Sequence, residues 1–149
     1  MNVSKDFEEL FAFFNARDVR FLIVGAYAVA FHAKPRFTKD IDVLVEPSED
    51  NAHRVIAALE DFGFGSLGLQ LADFTESGRI VQLGYPPNRI DFATSIDGVS
   101  FETAWAGRAP GLYGSQPVSY LGRTELIHNK KAVGRPQDRI DLESLGSES

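Results

Sequence analysis

Apolar side chains recur at Phe7, Leu10, Phe11 and Phe14, the spacing of an amphipathic helix, with Ser4 placed to cap its start and Asp18 to close it. Residues 20–24 (RFLIV) are nearly all apolar and predict a short buried strand. Gly25 interrupts this run, and the small side chains of 26–33 predict a helix packed tightly on a sheet. Pro35 ends it, because the residue before a proline is pushed out of the helical region. Residues 40–45 (DIDVLV) alternate carboxylate and apolar side chains before turning wholly apolar, which predicts a central strand with one functional end. Pro47 and Ser48 open the next helix, whose buried stripe is Ala52, Val55, Ile56 and Leu59. The glycine-rich run 63–68 predicts a loop.

Two further strands are predicted at 79–83 and 89–93, joined by the turn residues Tyr85-Pro86-Pro87-Asn88. Ser100 is placed to cap a short helix through Trp105, followed by a glycine-rich loop to Gly114 and a strand over 118–121. Helices over 124–133 and 136–145 complete the pattern, with Gly134 between them as a C-cap. Helices, strands and a hairpin signal in this order predict an α/β or α+β fold with a mixed sheet.

The 149 residues are 44% hydrophobic, so a chain of this size can bury roughly 70% of the surface exposed when unfolded. One domain over 1–145 and a loose tail at 146–149 are expected. Cysteine is absent, which excludes disulfides, thiolate metal sites and a thiol nucleophile, and agrees with a reducing cytoplasmic setting. Fifteen basic against 21 acidic residues give a net charge of −6, a surface that does not attract nucleic acid over its whole area. No apolar run approaches the ~20 residues of a membrane helix. Asp6, Glu8 and Glu9 near the start do not belong to a signal peptide.

The chemistry concentrates in residues 22–45. Asp40 and Asp42 lie two apart on a predicted strand, so both carboxylates project from one face while Ile41 and Val43 face the core. Side-by-side carboxylates repel unless a cation lies between them or one is protonated. Hard divalent cations such as Mg²⁺ or Mn²⁺ suit an oxygen-only setting and share coordination with substrate phosphates. A pair of such ions clamps an in-line phosphoryl displacement. Solvated edge strands also carry such pairs, and the context distinguishes the two. Here a strand ends at Gly25 and a helix begins at once, where free backbone N–H groups bind phosphate and glycine permits close approach. Arg36 and Thr38 lie just before the carboxylates, placed either to contact phosphate or the nucleotide sugar or to hold the loop.

Gly25 and Ala26, thirteen intervening residues and then Asp40-Ile41-Asp42-Val43 resemble the signature of the DNA polymerase β-like nucleotidyltransferase superfamily. The run from Arg36 to Asp42 (RFTKDID) is similar, more narrowly, to the AbiEii/MenA-like bacterial nucleotidyltransferases of toxin–antitoxin and abortive-infection systems. The carboxy-terminal ELIHNKKAVGRPQDRIDLESL resembles the tail of that group, so the likeness extends over residues 21–145. The resemblance implies a nucleotidyltransferase fold, a nucleoside triphosphate substrate and two divalent ions. It also implies a third carboxylate on a later strand: Asp91 matches, completing the metal site and helping to deprotonate the attacking hydroxyl, with Asp97 as the fallback. By the same likeness Lys130 meets the triphosphate while Lys131, about 100° round the helix, is solvated. Ala26 departs from the glycine or serine usual there, which removes one phosphate contact and keeps the backbone N–H.

Asp138 and Asp141, three apart, are expected on a solvated helix face paired with Arg135 or Arg139. His32, His53 and His128 show no metal-ligand spacing. Two readings of function follow. The first is an enzyme transferring NMP from an NTP to the hydroxyl of an RNA (tRNA among them), a protein or a small molecule. The second, suggested by Ala26 and the short chain, is a nucleotide-binding or partner module that keeps the fold, acting with a cognate protein or as a homodimer. A third reading, a hydrolase using the paired carboxylates as acid and base, is the poorer one, since side chains two apart on a strand cannot flank a scissile bond from opposite sides. Lys34, Arg36 and Lys39 form a basic cluster that suits either an RNA backbone or the NTP phosphates.

Overall fold

A computed structural model describes residues 4–34, 40–84 and 89–146. In chain order the elements are α1 (Lys5–Ala16), β1 (Phe21–Val24), α2 (Gly25–His32), β2 (Ile41–Val45), α3 (Glu49–Leu59), α4 (Ala72–Thr75), β3 (Ile80–Leu83) and β4 (Ile90–Ala93). They continue with α5 (Phe101–Ala106), β5 (Ala109–Tyr113), β6 (Gln116–Tyr120), α6 (Arg123–Val133) and α7 (Pro136–Ser144). The six strands form one mixed sheet in the order β3-β4-β2-β1-β6-β5. The expected α/β class and the central place of the carboxylate-bearing strand are both realised. Of the expected tail at 146–149 only Gly146 is among the described residues, and the turn at 85–88 lies outside them.

Side-chain alternation divides the core in two. Phe21, Ile23, Ile41, Val43, Val45, Ile90 and Phe92 face α1 and α3, where Phe7, Leu10, Phe11, Phe14, Val55 and Leu59 complete a large aromatic-rich cluster. Leu22, Val24 and Leu44 face the other way and pack with Ala28, Val29, Ala104, Leu121, Leu126 and Leu145. Capping follows the sequence pattern: Ser4, Ser48 and Ser100 accept hydrogen bonds from the backbone N–H groups of Phe7, Asn51 and Thr103. Gly134 closes α6 in the left-handed conformation, at φ +69°.

Two expectations are corrected. Residues 63–68 are not a plain loop, because the chain leaves α3 through a turn over Glu60–Phe64 that is kinked at Gly63 (φ +111°) and then makes a 3-10 turn (Gly65–Leu67). The Phe62 ring, seated 6.2 Å from Phe13 and 5.2 Å from Phe64, supplies packing that the glycines conceal. The glycine-rich approach to Gly114 contains strand β5, hidden by Pro110 and Gly111. At Gly111 a Cβ would stand 2.8 Å from the Phe31 ring and 2.9 Å from Tyr120. The hairpin β5–β6 closes on the pair Tyr113–Gln116, with Gly114 at φ +60° in the first loop position. Counting back from that hydrogen-bonded pair, Pro110 opposite Ser119 and Pro117 opposite Leu112 fall at non-hydrogen-bonded positions, where neither lacks a ladder donor. Among the described residues no helix is long and apolar enough to cross a membrane.

The end of the β1–β2 pair is held by Asn51, which is fully buried in α3. Its Oδ1 accepts from the Arg20 N–H at 2.8 Å, and its Nδ2 donates to the carbonyls of Arg20 and Glu46 at 3.0 Å each. Both backbones thus gain partners that the ladder does not supply. Asn51→Ala removes the side-chain partner of the Arg20 N–H and the Glu46 carbonyl and leaves the Arg20 carbonyl only its bond from the Glu46 N–H, and is expected to cost on the order of 1–3 kcal/mol in denaturant unfolding, whereas a surface change such as Arg54→Ala is expected to cost less than about 0.5 kcal/mol.

Candidate active site

Strand β1 ends at Val24 and α2 begins at Gly25 without a spacer. Gly25 takes φ +63°, and a Cβ there would lie 2.5 Å from Asp42 Oδ2. Glycine therefore serves two needs at this junction, a left-handed backbone and room for the carboxylate opposite. Asp42 is opposite because β1 and β2 are antiparallel with Val24 in register with it. The first turn of α2 opens into a cavity of about 500 Å³ lined by Gly25, Ala26, Asp40, Asp42, Arg89, Asp91, Lys130, Arg135, Pro136 and Gln137.

β2 and β4 are parallel with Asp42 beside Asp91, so the two carboxylates project from the same face of neighbouring strands. Burial pushes the Asp42 carboxyl up to about 6, and the charges of Asp91 and Asp40 push the same way against Lys130 and Arg89. Arg89 spans the group: its Nη2 lies 2.8 Å from Asp40 Oδ2, and its Nε lies 3.1 Å from Asp91 Oδ1. Nη2 also donates to Asp91 Oδ2 at 3.2 Å. Among the described residues no three acidic or histidine side chains already stand as a chelating cluster. The donor set still fits a hard divalent cation: Asp40, Asp42 and Asp91 offer oxygen only and line one cavity.

Lys130 faces this cavity and Lys131 is exposed, so the helix turns as expected. Lys130 is also committed elsewhere. Its Nζ lies 3.0 Å from both Asp138 Oδ1 and Asp141 Oδ2, and its side chain is only 5% exposed. Asp138 and Asp141 are accordingly not on a solvated face but buried at 0% and 1%. Their i, i+3 spacing marks the inner face of α7, turned toward a lysine on α6. The pairing of Asp138 with Arg135 is as expected, at 2.8 Å. Burial raises the Asp138 carboxyl, but hydrogen bonds from Arg135 and Lys130 outweigh it and hold it at about 2.

Asp97 is exposed in a turn and outside this cavity. A second cavity of about 460 Å³ adjoins the first, sharing Gly25, Asp42, Lys130 and Arg135 and extending over Ile80, Ala93, Ser95, Asp97, Asn129 and Val133. Arg36 and Thr38 lie outside the described residues, as does Lys39, so of the basic cluster only Lys34 is described. His32 packs with its Nε2 2.7 Å from the Leu121 carbonyl oxygen. Sequence reasoning missed Arg89 and Arg135. Arg89 had a signal, standing two residues before Asp91 and therefore on the same side of the chain.

No protein-family model matches the sequence, and no curated protein is similar to it by sequence. Solved structures are similar in fold. The chain aligns with the lincosamide antibiotic adenylyltransferase LnuA in its lincomycin-bound form at TM-score 0.56 and 13% identity, over 100% of each chain. It aligns with ANT(2")-Ia in complex with adenylyl-2"-tobramycin at TM-score 0.53 and 16% identity, over 94% of this chain and 83% of that one. The solution structure of ANT(2'')-Ia gives the same TM-score of 0.53. The mixed sheet and its helices therefore form a nucleotidyltransferase fold.

A carboxyl raised from its ordinary value to about 6 makes the native protein hold more protons than the unfolded chain between roughly pH 4 and 6. The Asp42 contribution to stability thus falls as pH rises through that window. Asp42→Asn is expected to unfold at higher denaturant than the wild type at pH ~7.5, by on the order of 1–3 kcal/mol, with the two curves converging near pH ~4.

Proposed function

We propose that the chain is a metal-dependent nucleotidyltransferase that moves NMP from a nucleoside triphosphate to an acceptor hydroxyl. The observation that carries this reading is the convergence of Asp42 and Asp91, in register on adjacent strands, with the amino end of α2 on one cavity. The Gly25 and Ala26 N–H groups and the positive end of α2 receive phosphate. Asp40, Asp42 and Asp91 would hold Mg²⁺ or Mn²⁺, two ions by the family resemblance, which supply charge neutralisation at the phosphates and a more acidic attacking hydroxyl. Asp91 accepts the hydroxyl proton, the acceptor oxygen attacks the α-phosphorus, and pyrophosphate leaves. Arg36 and Thr38 contribute nucleotide contacts from the segment before β2, and Lys130 presents positive charge to the triphosphate from its place in the cavity wall.

The AbiEii/MenA-like resemblance is what supports a role in a toxin–antitoxin or abortive-infection module, with a cognate protein or a second copy as partner. The cytoplasm, where nucleoside triphosphates are made, is the compartment this reading implies. LnuA and ANT(2'')-Ia are bound to an antibiotic or an adenylylated one, which supports a small-molecule hydroxyl beside RNA and protein as acceptor classes.

A second reading rests on a specific observation. Among the described residues Arg89, Lys130 and Arg135 line the cavity, and each is ion-paired with a carboxylate of this chain. A nucleotide-binding partner module with little turnover would show the same arrangement. Incubation with labelled NTPs, Mg²⁺ and RNA, protein or small-molecule acceptors is expected to give a labelled product, reduced by at least about 10²-fold in Asp42→Ala. Calorimetric binding of ATP–Mg²⁺ without any transfer would favour the module, and transfer unchanged in Asp42→Ala would defeat the enzyme assignment.

A further inference from the structure

Among the described residues Arg89 is the cation set against two of the candidate metal-binding carboxylates, Asp40 and Asp91, and its position resembles that of the ion they would hold. Its guanidinium meets Asp40 at 2.8 Å and Asp91 at 3.1 and 3.2 Å, joining two carboxylates that would otherwise repel. A planar fork with five donors is suited to such bridging. We propose that Arg89 is the resident counter-cation of this site, so that a divalent cation enters by exchange with the guanidinium rather than into a preformed chelate.

This inference rests on the nucleotidyltransferase reading, and three features of the chain carry it further. First, the root of the side chain is held by the sheet and its tip by the carboxylates. The Arg89 carbonyl accepts from the Ile41 N–H at 3.2 Å, which ties its backbone to β2, whereas the side chain is 32% exposed and borders the 500 Å³ cavity. The guanidinium can swing into that space without disturbing the sheet. Second, the other cations of the cavity wall are placed differently. Lys130 is 5% exposed and Arg135 is paired with Asp138, so both serve the junction of α6 and α7 and not Asp40 or Asp91. Third, the charge favours exchange. Among the described residues five carboxylates (Asp40, Asp42, Asp91, Asp138 and Asp141) stand against three cations (Arg89, Lys130 and Arg135). Replacing a singly charged group by a doubly charged ion brings the cluster closer to neutrality. The exchange also frees Asp91 from its pairing, and only then is that carboxylate available to take a proton.

The exchange weakens the apparent affinity for a divalent ion by the strength of the Arg89 pairs, a cost that a variant lacking the guanidinium does not carry. Mn²⁺ binding to the full chain without nucleotide, measured by the paramagnetic resonance of free Mn²⁺, tests this. Arg89→Met is expected to bind Mn²⁺ about tenfold more tightly than the wild type and to melt at lower temperature without metal, the melting loss being reversed by Mn²⁺. Methylguanidinium is expected to weaken Mn²⁺ binding in Arg89→Met and to leave the wild type unchanged. Should Arg89→Met not fold, Arg89→Lys retains the charge without the bridging fork, and several-fold tighter Mn²⁺ binding is expected of it. Affinity in the folded variant equal to or weaker than in the wild type overturns the exchange and leaves the metal-site reading standing. Absence of Mn²⁺ binding in wild type and variant alike overturns both.

Discussion

Two like charges fixed side by side by hydrogen-bond register are the constraint around which this molecule is arranged. The parallel pairing of β2 with β4 sets Asp42 beside Asp91, and no side-chain rotation can separate their backbones. Water cannot screen them fully, since burial is the first cause of the elevated Asp42 carboxyl. The surroundings answer in two ways. Gly25 withdraws its side chain so that Asp42 has space, and Arg89 closes over the outer carboxylates. A strand pair that holds acids against their own repulsion makes sense where an external cation supplies the missing charge. On the nucleotidyltransferase reading proposed above, function is stored here as instability, in the sense that a functional site gives up folding free energy for chemistry.

The helices α6 and α7 extend the same logic one layer outward. Lys130 reaches across to Asp138 and Asp141, while Arg135 at the start of α7 folds back on Asp138. A buried lysine between two buried carboxylates is expensive to desolvate and contributes little net stability, but removing one partner strands the others. Its value lies in register: the triad fixes how α7 lies along α6, and so fixes where Arg135, Pro136 and Gln137 meet the cavity. The wall of the site is thereby specified by electrostatics and not by apolar packing alone.

Much of this was readable in the chain. Helical spacing located α1 and α3, serine caps marked their starts, and alternation in DIDVLV placed Asp42 on the face opposite Ile41 and Val43. Gly25 followed directly by helical residues indicated the strand–helix corner that opens on the cavity. What periodicity lacks is partnership across strands and helices. That β4 would lie against β2, and not elsewhere in the sheet, depends on chain crossings that no local pattern encodes. The same gap explains Asp138 and Asp141, whose spacing fits an inner face as well as an outer one until Lys130 is known to stand opposite. It explains Arg89 too, whose role appears only when Asp40 and Asp91 are brought to its two sides. Strand β5 was hidden for a different reason, because proline and glycine there satisfy an edge position and a close ring contact while imitating a loop.

That edge position has a bearing on how the protein behaves in concentrated solution. A strand at the border of a sheet offers donors and acceptors to any other extended chain, which is the first step of fibrous aggregation. In β5 the alternation set by the Tyr113–Gln116 pair turns the nitrogen of Pro110 outward, and that nitrogen carries no hydrogen. The border is interrupted at the second of its five residues, which shortens the ladder that a second chain can add. At the opposite border β3 is only four residues long, too brief a template for stable strand addition. Growth of the sheet is thus hindered in both directions by its own covalent chemistry and length, and association with other molecules is left to the side-chain surfaces and cavities on its faces.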